Sequence, residues 1–572
     1  MDGLQKPEER LRTLILLAKN HIGYKNLLLL HKLANDNLLI GTRKNYPRID
    51  WKILEQHTEG LICLTGDCSG ILGQPICTRR TEEAKTIAKR LQDLFKLNLG
   101  LEVQPSTQTR TENIYSTAQD QRFVNTQVIK IAKELNIKIV PTTGCRYLEK
   151  EDWEAHDVAC AIGAGQQVKS GNRPKYSNDF YFKTEEEVRS YFARLYPKDI
   201  DEWMSNTVFF ADQCEEPVWI DPKFTNPSGK ELPEFPVKDQ HDYLEFLKWK
   251  ENPVYPCATE EETKTIQELK EDAAYYRYVI YNNFEKKTPK GKEKEYHERL
   301  LEEFDVIEYR DFSSYMLIYK DFLDRCREKG IPVNFGRGSV GGALDAFYAD
   351  IHQIDSIRYD LVFARFQNKE KASFPDIDGD FAQYGKPLVE KYIRNKYGEE
   401  KVAKISNYMT LSPKQYVKSM SRAFQFGTDI KDSIAIGQRL ADLIPIDTSG
   451  KNFNDVDECI RKIPILAEYC LKYPQIEKFA KLLQNKPTAL AKHAAGIVIG
   501  KRPLIEIVPL RRDEEGDLIL EFEKERAEAC GLIKMDILGL STLDIIKLTN
   551  DIIKKRGKEI PNINVEEYDE KT

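Results

Sequence analysis

The sequence predicts a multidomain protein of mixed α/β and α+β class. Three observations carry that reading. The chain has 572 residues, and that length suggests roughly three to five domains. Residues 11–140 alternate helical periodicity with short apolar runs, the pattern of βα units. Further along, Pro222, Pro227, Pro233, Pro236, Pro253 and Pro256 punctuate one stretch, which reads as a linker.

Taken in order, Leu14–Ala18 reads as a buried strand. Thr81 to Leu97 reads as an amphipathic helix capped by Thr81, with Glu83 nearby. Leu135 to Pro141 passes from helix to strand. After the proline-rich stretch, helices rich in Glu and Lys are expected from about Glu260 to Lys329. Strand-like and Gly-rich pieces follow from Ile331 to Phe381. Residues 426–490 read as mostly helical, broken near Pro445 and Pro464. A last α/β stretch runs from His493 to Lys558.

Composition narrows the function classes. Hydrophobic residues at 41% can form sizeable cores, and 31% charge is ordinary for a soluble chain. The net charge of -6 argues against a generally basic nucleic-acid coat, so any polynucleotide contact needs a local basic patch. With no apolar run of about 18 residues, no membrane span is expected. The start, Met1-Asp2-Gly3-Leu4-Gln5-Lys6, lacks the apolar core of a signal peptide. Eleven cysteines without a CxxC pair read as reduced cytosolic thiols, and a cytoplasmic location is expected.

The most informative segment is Phe374-Pro375-Asp376-Ile377-Asp378-Gly379-Asp380-Phe381. On a strand, residues two apart share a face. Asp376, Asp378 and Asp380 would then form an acidic row with roughly 6–7 Å between neighbours. Like charges this close repel unless cations intervene, and paired divalent ions held by carboxylates serve phosphoryl and nucleotidyl transfer. An EF-hand is excluded, because its sixth position would be Phe381 and its twelfth Pro387. A plain surface turn is the other reading.

Four further features accompany it. Asn334 to Gly342 contains Gly336-Arg337-Gly338-Ser339. Such a loop could bring backbone N–H groups, Arg337 and Ser339 onto phosphate, or serve as a structural turn; it lacks the Walker ending. In Leu532 to Leu540, Lys534 and Asp536 stand alone among apolar residues. They read either as an ion pair on one strand face or as a third metal carboxylate beside a phosphate-facing lysine. Lys414, Lys418 and Arg422 recur every four residues, forming a solvated basic face or a DNA-backbone contact. Lys492-His493-Ala494-Ala495-Gly496 precedes an apolar strand, where a histidine is ordinarily structural.

Together and in this order, these segments resemble the α subunit family of bacterial DNA polymerase III, the C-family replicative polymerases. Ile331-Pro332-Val333 with Gly336–Ser339 resembles its triphosphate loop. Arg358–Leu361 and Phe363–Phe366 resemble the lead-in to its palm strand. Pro375–Phe381, Lys492–Gly496 and Lys534–Leu540 resemble its catalytic elements, and Tyr24–Leu27 and Leu232–Pro236 extend the likeness upstream. The resemblance implies a partial polymerase-and-histidinol-phosphatase (PHP) domain over 1–220 and a linker over 221–257. It implies a nucleotidyltransferase-type palm over 258–425 and 491–560, and a helical thumb insert over 426–490. Residues 561–572 would begin a connection to the fingers.

The implied activity is template-directed addition of dNMP to a primer 3′-OH. Asp376, Asp378 and Asp536 would hold two Mg²⁺ ions, with Asp380 as a secondary ligand. Gly336, Arg337, Gly338, Ser339 and Lys534 would hold the triphosphate. Lys414, Lys418, Arg422, Lys492 and His493 would contact primer-template DNA. Partners would be DNA, dNTPs and a second polymerase chain with the fingers and clamp-binding region, the sliding clamp being reached only through that chain. The alternative is a non-catalytic DNA-binding or assembly piece of a divided polymerase.

Two departures stand out. The family's His-x-His strand is missing at the start, and the PHP ligand positions read Asp67, Gly144 and Arg146. Glycine has no side chain to ligate and arginine keeps its proton, so no PHP-centred phosphoesterase or proofreading activity is expected. The family's fingers and later domains are also missing, which suggests a divided or truncated polymerase.

Overall fold

A computed structural model describes residues 11–40, 45–105, 121–171, 173, 175–176, 178–215, 231–253, 259–334, 336–371, 374–445 and 455–560, the side chain of Ala494 excepted. The chain is a mixed α/β multidomain protein. It folds as two compact units, Met1–Pro217 with Tyr408–Ala491, and Val218–Asn407 with Lys492–Thr572.

The first unit contains a four-stranded sheet in the order Ile15–Ala18, Leu61–Leu64, Leu99–Val103, Lys138–Pro141. The first two strands pair antiparallel, with Ile15 opposite Leu64, and the rest pair parallel. The two strands from Leu61 and Leu99 are buried along their whole length, as expected where helices cover both faces. The strand expected at Leu14–Ala18 is a half-exposed edge rather than a buried strand, with Ile15 at 39% and Leu17 at 41% exposure. An apolar run alone does not separate edge from centre. The helix expected from Thr81 spans Thr81–Phe95, but Thr81 is its first helical residue and Arg80 occupies the cap position without a side-chain bond. Glu82 and Glu83 lie in the first turn, where the positive helix end favours acids.

A second core in this unit joins Ala155 and Val158, from helix Trp153–Gly163, to Tyr416, Val417 and Met420 of helix Pro413–Phe424. Helices Ile430–Leu443, Val456–Lys462, Pro464–Lys472 and Gln475–Leu483 complete it. The helical character of 426–490 is as read. The unit boundary, however, falls between Asn407 and Tyr408, within strand Val402–Thr410, where the sequence suggested 425. Helix Pro413–Phe424 buries its apolar side among the insert helices, so it belongs with them.

In the second unit, helices Glu260–Glu268, Glu271–Lys287, Glu293–Tyr309 and Ser313–Glu328 pack around buried aromatics that include Tyr276, Phe284, Tyr315, Tyr319 and Phe322. The described part of the proline-rich stretch is built into this core. Leu232, Phe235 and Val237 are buried, and the Phe235 N–H donates to Ser314 Oγ at 3.0 Å. Pro222, Pro227 and Pro256 lie outside the described residues, as does 561–572. The six-stranded sheet has the order Leu510–Arg512, Leu518–Leu520, Val402–Thr410, Pro487–Ile499, Lys534–Leu540, Asp378–Ala382. Its last two strands pair parallel and in register from Asp536 opposite Asp378 to Leu540 opposite Ala382.

Candidate active site

The site grows from that parallel pair. Residues alternate faces along a strand. Gly379 and Phe381 therefore face the helices, where Phe381 packs on Phe322 with ring centres 6.0 Å apart. Asp378 and Asp380 face the other way. Because Asp536 is the direct neighbour of Asp378, two carboxylates from segments far apart in sequence share one face of the sheet.

Tyr319 sits beneath them, on the face that Gly379 lines. Its buried hydroxyl lies 2.8 Å from the Ile377 carbonyl and 3.0 Å from the Asp536 carbonyl, tying both acidic strands to helix Ser313–Glu328. Gly379 permits this approach. A Cβ there would lie 2.4 Å from the Tyr319 hydroxyl, 2.7 Å from Phe381 and 3.0 Å from the Asp536 carbonyl. Neither Tyr319 nor Gly379 had a signal in the sequence beyond membership of an apolar helix and an acidic segment.

The Gly-rich loop is delivered by a short edge. Val333 bridges Phe381 antiparallel; the Asn334 N–H donates to the Asp380 carbonyl at 3.0 Å and the Ala382 N–H to the Pro332 carbonyl at 2.9 Å. This pairing carries Arg337 and Gly338 to the start of the acidic strand. Gly338 has φ +81°, and a Cβ on it would come within 3.0 Å of Asp378 Oδ2. Both the left-handed backbone and the close carboxylate suit glycine alone.

Each acid has a base beside it. Arg337 Nη1 lies 3.1 Å from Asp378 Oδ2, and the Nε and Nη2 of the same group donate to Asp380 at 3.0 and 3.1 Å. Lys534 Nζ lies 2.7 Å from Asp536 Oδ2, so the ion pair read as one alternative for this strand is present. Lys524 Nζ stands 3.5 Å from Asp376 Oδ2. Burial raises the Asp378 pKa above the ordinary carboxylate range; Arg337 opposes this, while Asp376, Asp536 and Asp380 add to it. Asp378 thus feels the other three acids.

The predicted residues are gathered unevenly. The strand begins at Asp378, so the expected single row of three is a row of two, Asp378 and Asp380. Asp376 precedes it, 53% exposed and turned toward Lys524. The ladder with strand Lys534–Leu540 starts only at Asp378, opposite Asp536, so Asp376 and Ile377 lie outside the pairing. His493 Nδ1 accepts the N–H groups of Ala495 and Gly496 at 3.2 and 2.8 Å. Its pKa is lowered by burial and then by the Lys534 charge. It lies within strand Pro487–Ile499, with Nδ1 engaged by that strand's own backbone. Lys492 is held by Asp513 and Glu515, each at 2.8 Å. In the other unit, Lys414 and Lys418 are partly buried and Arg422 is exposed along helix Pro413–Phe424.

Among the described residues, no three His, Cys, Asp or Glu side chains gather closely enough to hold a metal ion. The adjacent pair nevertheless has the chemistry a hard divalent ion requires. Its donors are all carboxylate oxygens, and Asp536 Oδ1 is buried without a hydrogen-bond partner, a state that costs free energy unless a cation or donor meets it.

The three PHP positions are engaged with the protein itself. Asp67 Oδ1 accepts from the backbone and hydroxyl of Ser69 at 2.7 and 2.6 Å. Gly144 has φ +58° with Gln104 against it, and Arg146 lies over the Tyr176 ring.

Comparison with known proteins agrees with these features. Residues 274–539 match the bacterial DNA polymerase III alpha NTPase domain, and residues 3–106 match the PHP domain. The chain is 33% identical to the DNA polymerase III subunit alpha of Borreliella burgdorferi, over 98% of this chain and 44% of that protein. For the Aquifex aeolicus subunit the values are 30%, 95% and 44%; for that of Campylobacter jejuni they are 32%, 95% and 43%. The chain thus spans less than half the length of these relatives.

Proposed function

We propose, for a chain that belongs to the bacterial DNA polymerase III alpha family over the span it shares, that it supplies the catalytic acids of a template-directed DNA polymerase. The observation that carries this reading is the cross-strand neighbourhood of Asp378 and Asp536, with a buried carboxylate oxygen left over. Asp378 and Asp536 would hold divalent ions, and Asp376 would join them by leaving Lys524. Bound Mg²⁺ supplies activation of the primer hydroxyl and neutralisation of triphosphate charge.

The chain's own groups do the rest. Lys534 holds Asp536 Oδ2 and so leaves Oδ1 for a ligand. Arg337 and the loop from Gly336 to Ser339 stand where a triphosphate would need positive charge and N–H donors. Lys414, Lys418 and Arg422 would follow the DNA backbone, giving salt-dependent affinity. Lys492 would reach DNA only by exchanging Asp513 and Glu515. The relatives are more than twice as long, and polypeptide corresponding to their remaining length would complete the enclosure of the nucleotide.

Primer extension tests this, using the chain alone and with a polypeptide completing the alpha subunit. Extension is expected in the complete assembly and falls on the order of 100–1000-fold in Asp536→Asn. DNA binding with no extension in any assembly would favour the non-catalytic, assembly role instead.

A further inference from the structure

Asp380 carries more than its place in an acidic motif suggests. It is 3% exposed, and its carboxylate is surrounded by donors from one segment. Arg337 Nε reaches Oδ2 at 3.0 Å, Arg337 Nη2 reaches Oδ1 at 3.1 Å and Asn334 Nδ2 reaches Oδ2 at 3.1 Å. The Asp380 carbonyl also accepts the Asn334 N–H at 3.0 Å. The fork contact uses one edge of the guanidinium, and such two-point pairing fixes its plane as well as its position. The third nitrogen, Nη1, is thereby directed at Asp378 Oδ2, 3.1 Å away.

The geometry points to Asp380 as a positioning residue that aims Arg337 across the acidic site, in place of a secondary metal ligand. The inference rests on the polymerase reading for what Arg337 is aimed at, the triphosphate of an incoming nucleotide. Both oxygens of Asp380 are engaged by the loop, whereas Asp536 keeps one oxygen unpartnered. Ligand and positioning roles are thus divided between residues of one sheet face. A fixed guanidinium edge costs little ordering when the anionic ligand arrives.

The test separates metal from phosphate. Mn²⁺ binding is followed by its electron paramagnetic resonance signal, tripolyphosphate binding by calorimetry in the presence of Mn²⁺, and loop order by hydrogen exchange at residues 336–342. Asp380→Asn is expected to keep Mn²⁺ affinity within about twofold, weaken tripolyphosphate by about tenfold, the scale of hydrogen bonds to charged groups, and speed exchange in the loop. Arg337→Lys, which keeps charge without the fork, should reproduce the last two effects. A merely structural role for Asp380 would move Mn²⁺ binding as well. Loss of Mn²⁺ from Asp380→Asn as severe as from Asp378→Asn would overturn the inference. So would unchanged tripolyphosphate binding and exchange. If Asp380→Asn does not fold, Arg337→Lys decides by the same two readouts. A parent chain that binds neither probe would count against the polymerase reading, while loop exchange in the variants would still decide whether Asp380 orders Arg337.

Discussion

Two of the regions that hold buried carboxylates treat them differently. In the first unit, Glu102 lies at the end of strand Leu99–Val103, buried. It is met only by uncharged donors, the Thr142 hydroxyl at 2.8 Å and the Gly66 N–H. Burial raises its pKa, and the hydrogen bonds from Thr142 and Gly66 only partly oppose this. Around it run amides: Asn125 joins the Gln104 backbone and the Gln121 side chain. In the second unit, Asp376, Asp378, Asp380 and Asp536 meet Lys524, Arg337 and Lys534. The first arrangement favours a proton; the second sets a cationic side chain beside each acid. A carboxylate balanced by a movable cation can exchange that cation for a metal or a triphosphate complex, whereas one closed into a neutral network must first lose a proton. The PHP domain here has a scaffold-like centre, and the nucleotidyltransferase-type domain has an ionic one.

Neutralising an acid in each centre gives the widest separation. In an assembled polymerase, Asp378→Asn or Asp536→Asn should lower primer extension by on the order of 100–1000-fold, the loss that follows removal of one preorganised electrostatic contact. Glu102→Gln should leave extension within about twofold. Equal losses from both centres, measured as single-turnover rates, would end the distinction between scaffold and catalyst.

The second comparison concerns what holds each acid in place. Tyr319→Phe removes the hydroxyl that meets the Ile377 and Asp536 carbonyls. It should cost about 1–3 kcal/mol in denaturant unfolding, the range for leaving buried acceptors unpaired. An unfolding curve unchanged by Tyr319→Phe would mean that the parallel strands keep their register without this support.

Much of the ionic centre was legible because its chemistry is local in sequence. Alternate acids at 376, 378 and 380, and a Lys and Asp two apart at 534 and 536, are strand periodicities, and a strand face follows from them. The likeness to a polymerase family could be read from the same segments. What the sequence could not give was pairing. The register that sets Asp536 beside Asp378 depends on which strands neighbour which. Nor could the sequence show that Asp376 lies off the strand, that Lys524 faces it, or that Arg337 turns one edge to Asp380. The sequence also did not reveal the partners of Lys492 and His493: Asp513 and Glu515 come from a hairpin, and two backbone N–H groups from the histidine's own strand. Leu14–Ala18 looked buried because apolar content does not report whether a strand has a neighbour on both sides.

The smallest expected effect is a slope. A carboxyl whose folded pKa lies above its unfolded value favours the protonated form on folding. Its contribution is fully present below the ordinary carboxylate range and is lost as pH rises through the raised folded value. Glu102 is such a group, with burial as the leading cause. Unfolding free energy of the chain should therefore fall with rising pH over that window, against the rising trend set by paired acids such as Asp517, whose pKa the Lys404 and Arg394 bonds lower. Glu102→Gln keeps an acceptor for the Gly66 N–H, offers its amide N–H to the Thr142 hydroxyl and cannot ionise, so it should remove the falling component and little else. Denaturant titrations of both chains from pH 4 to pH 8 would show the two curves meeting at the acid end and separating toward neutrality, with the variant the more stable. Parallel curves would mean that Glu102 titrates like an exposed acid, and that the first centre has water or charge where uncharged donors stand.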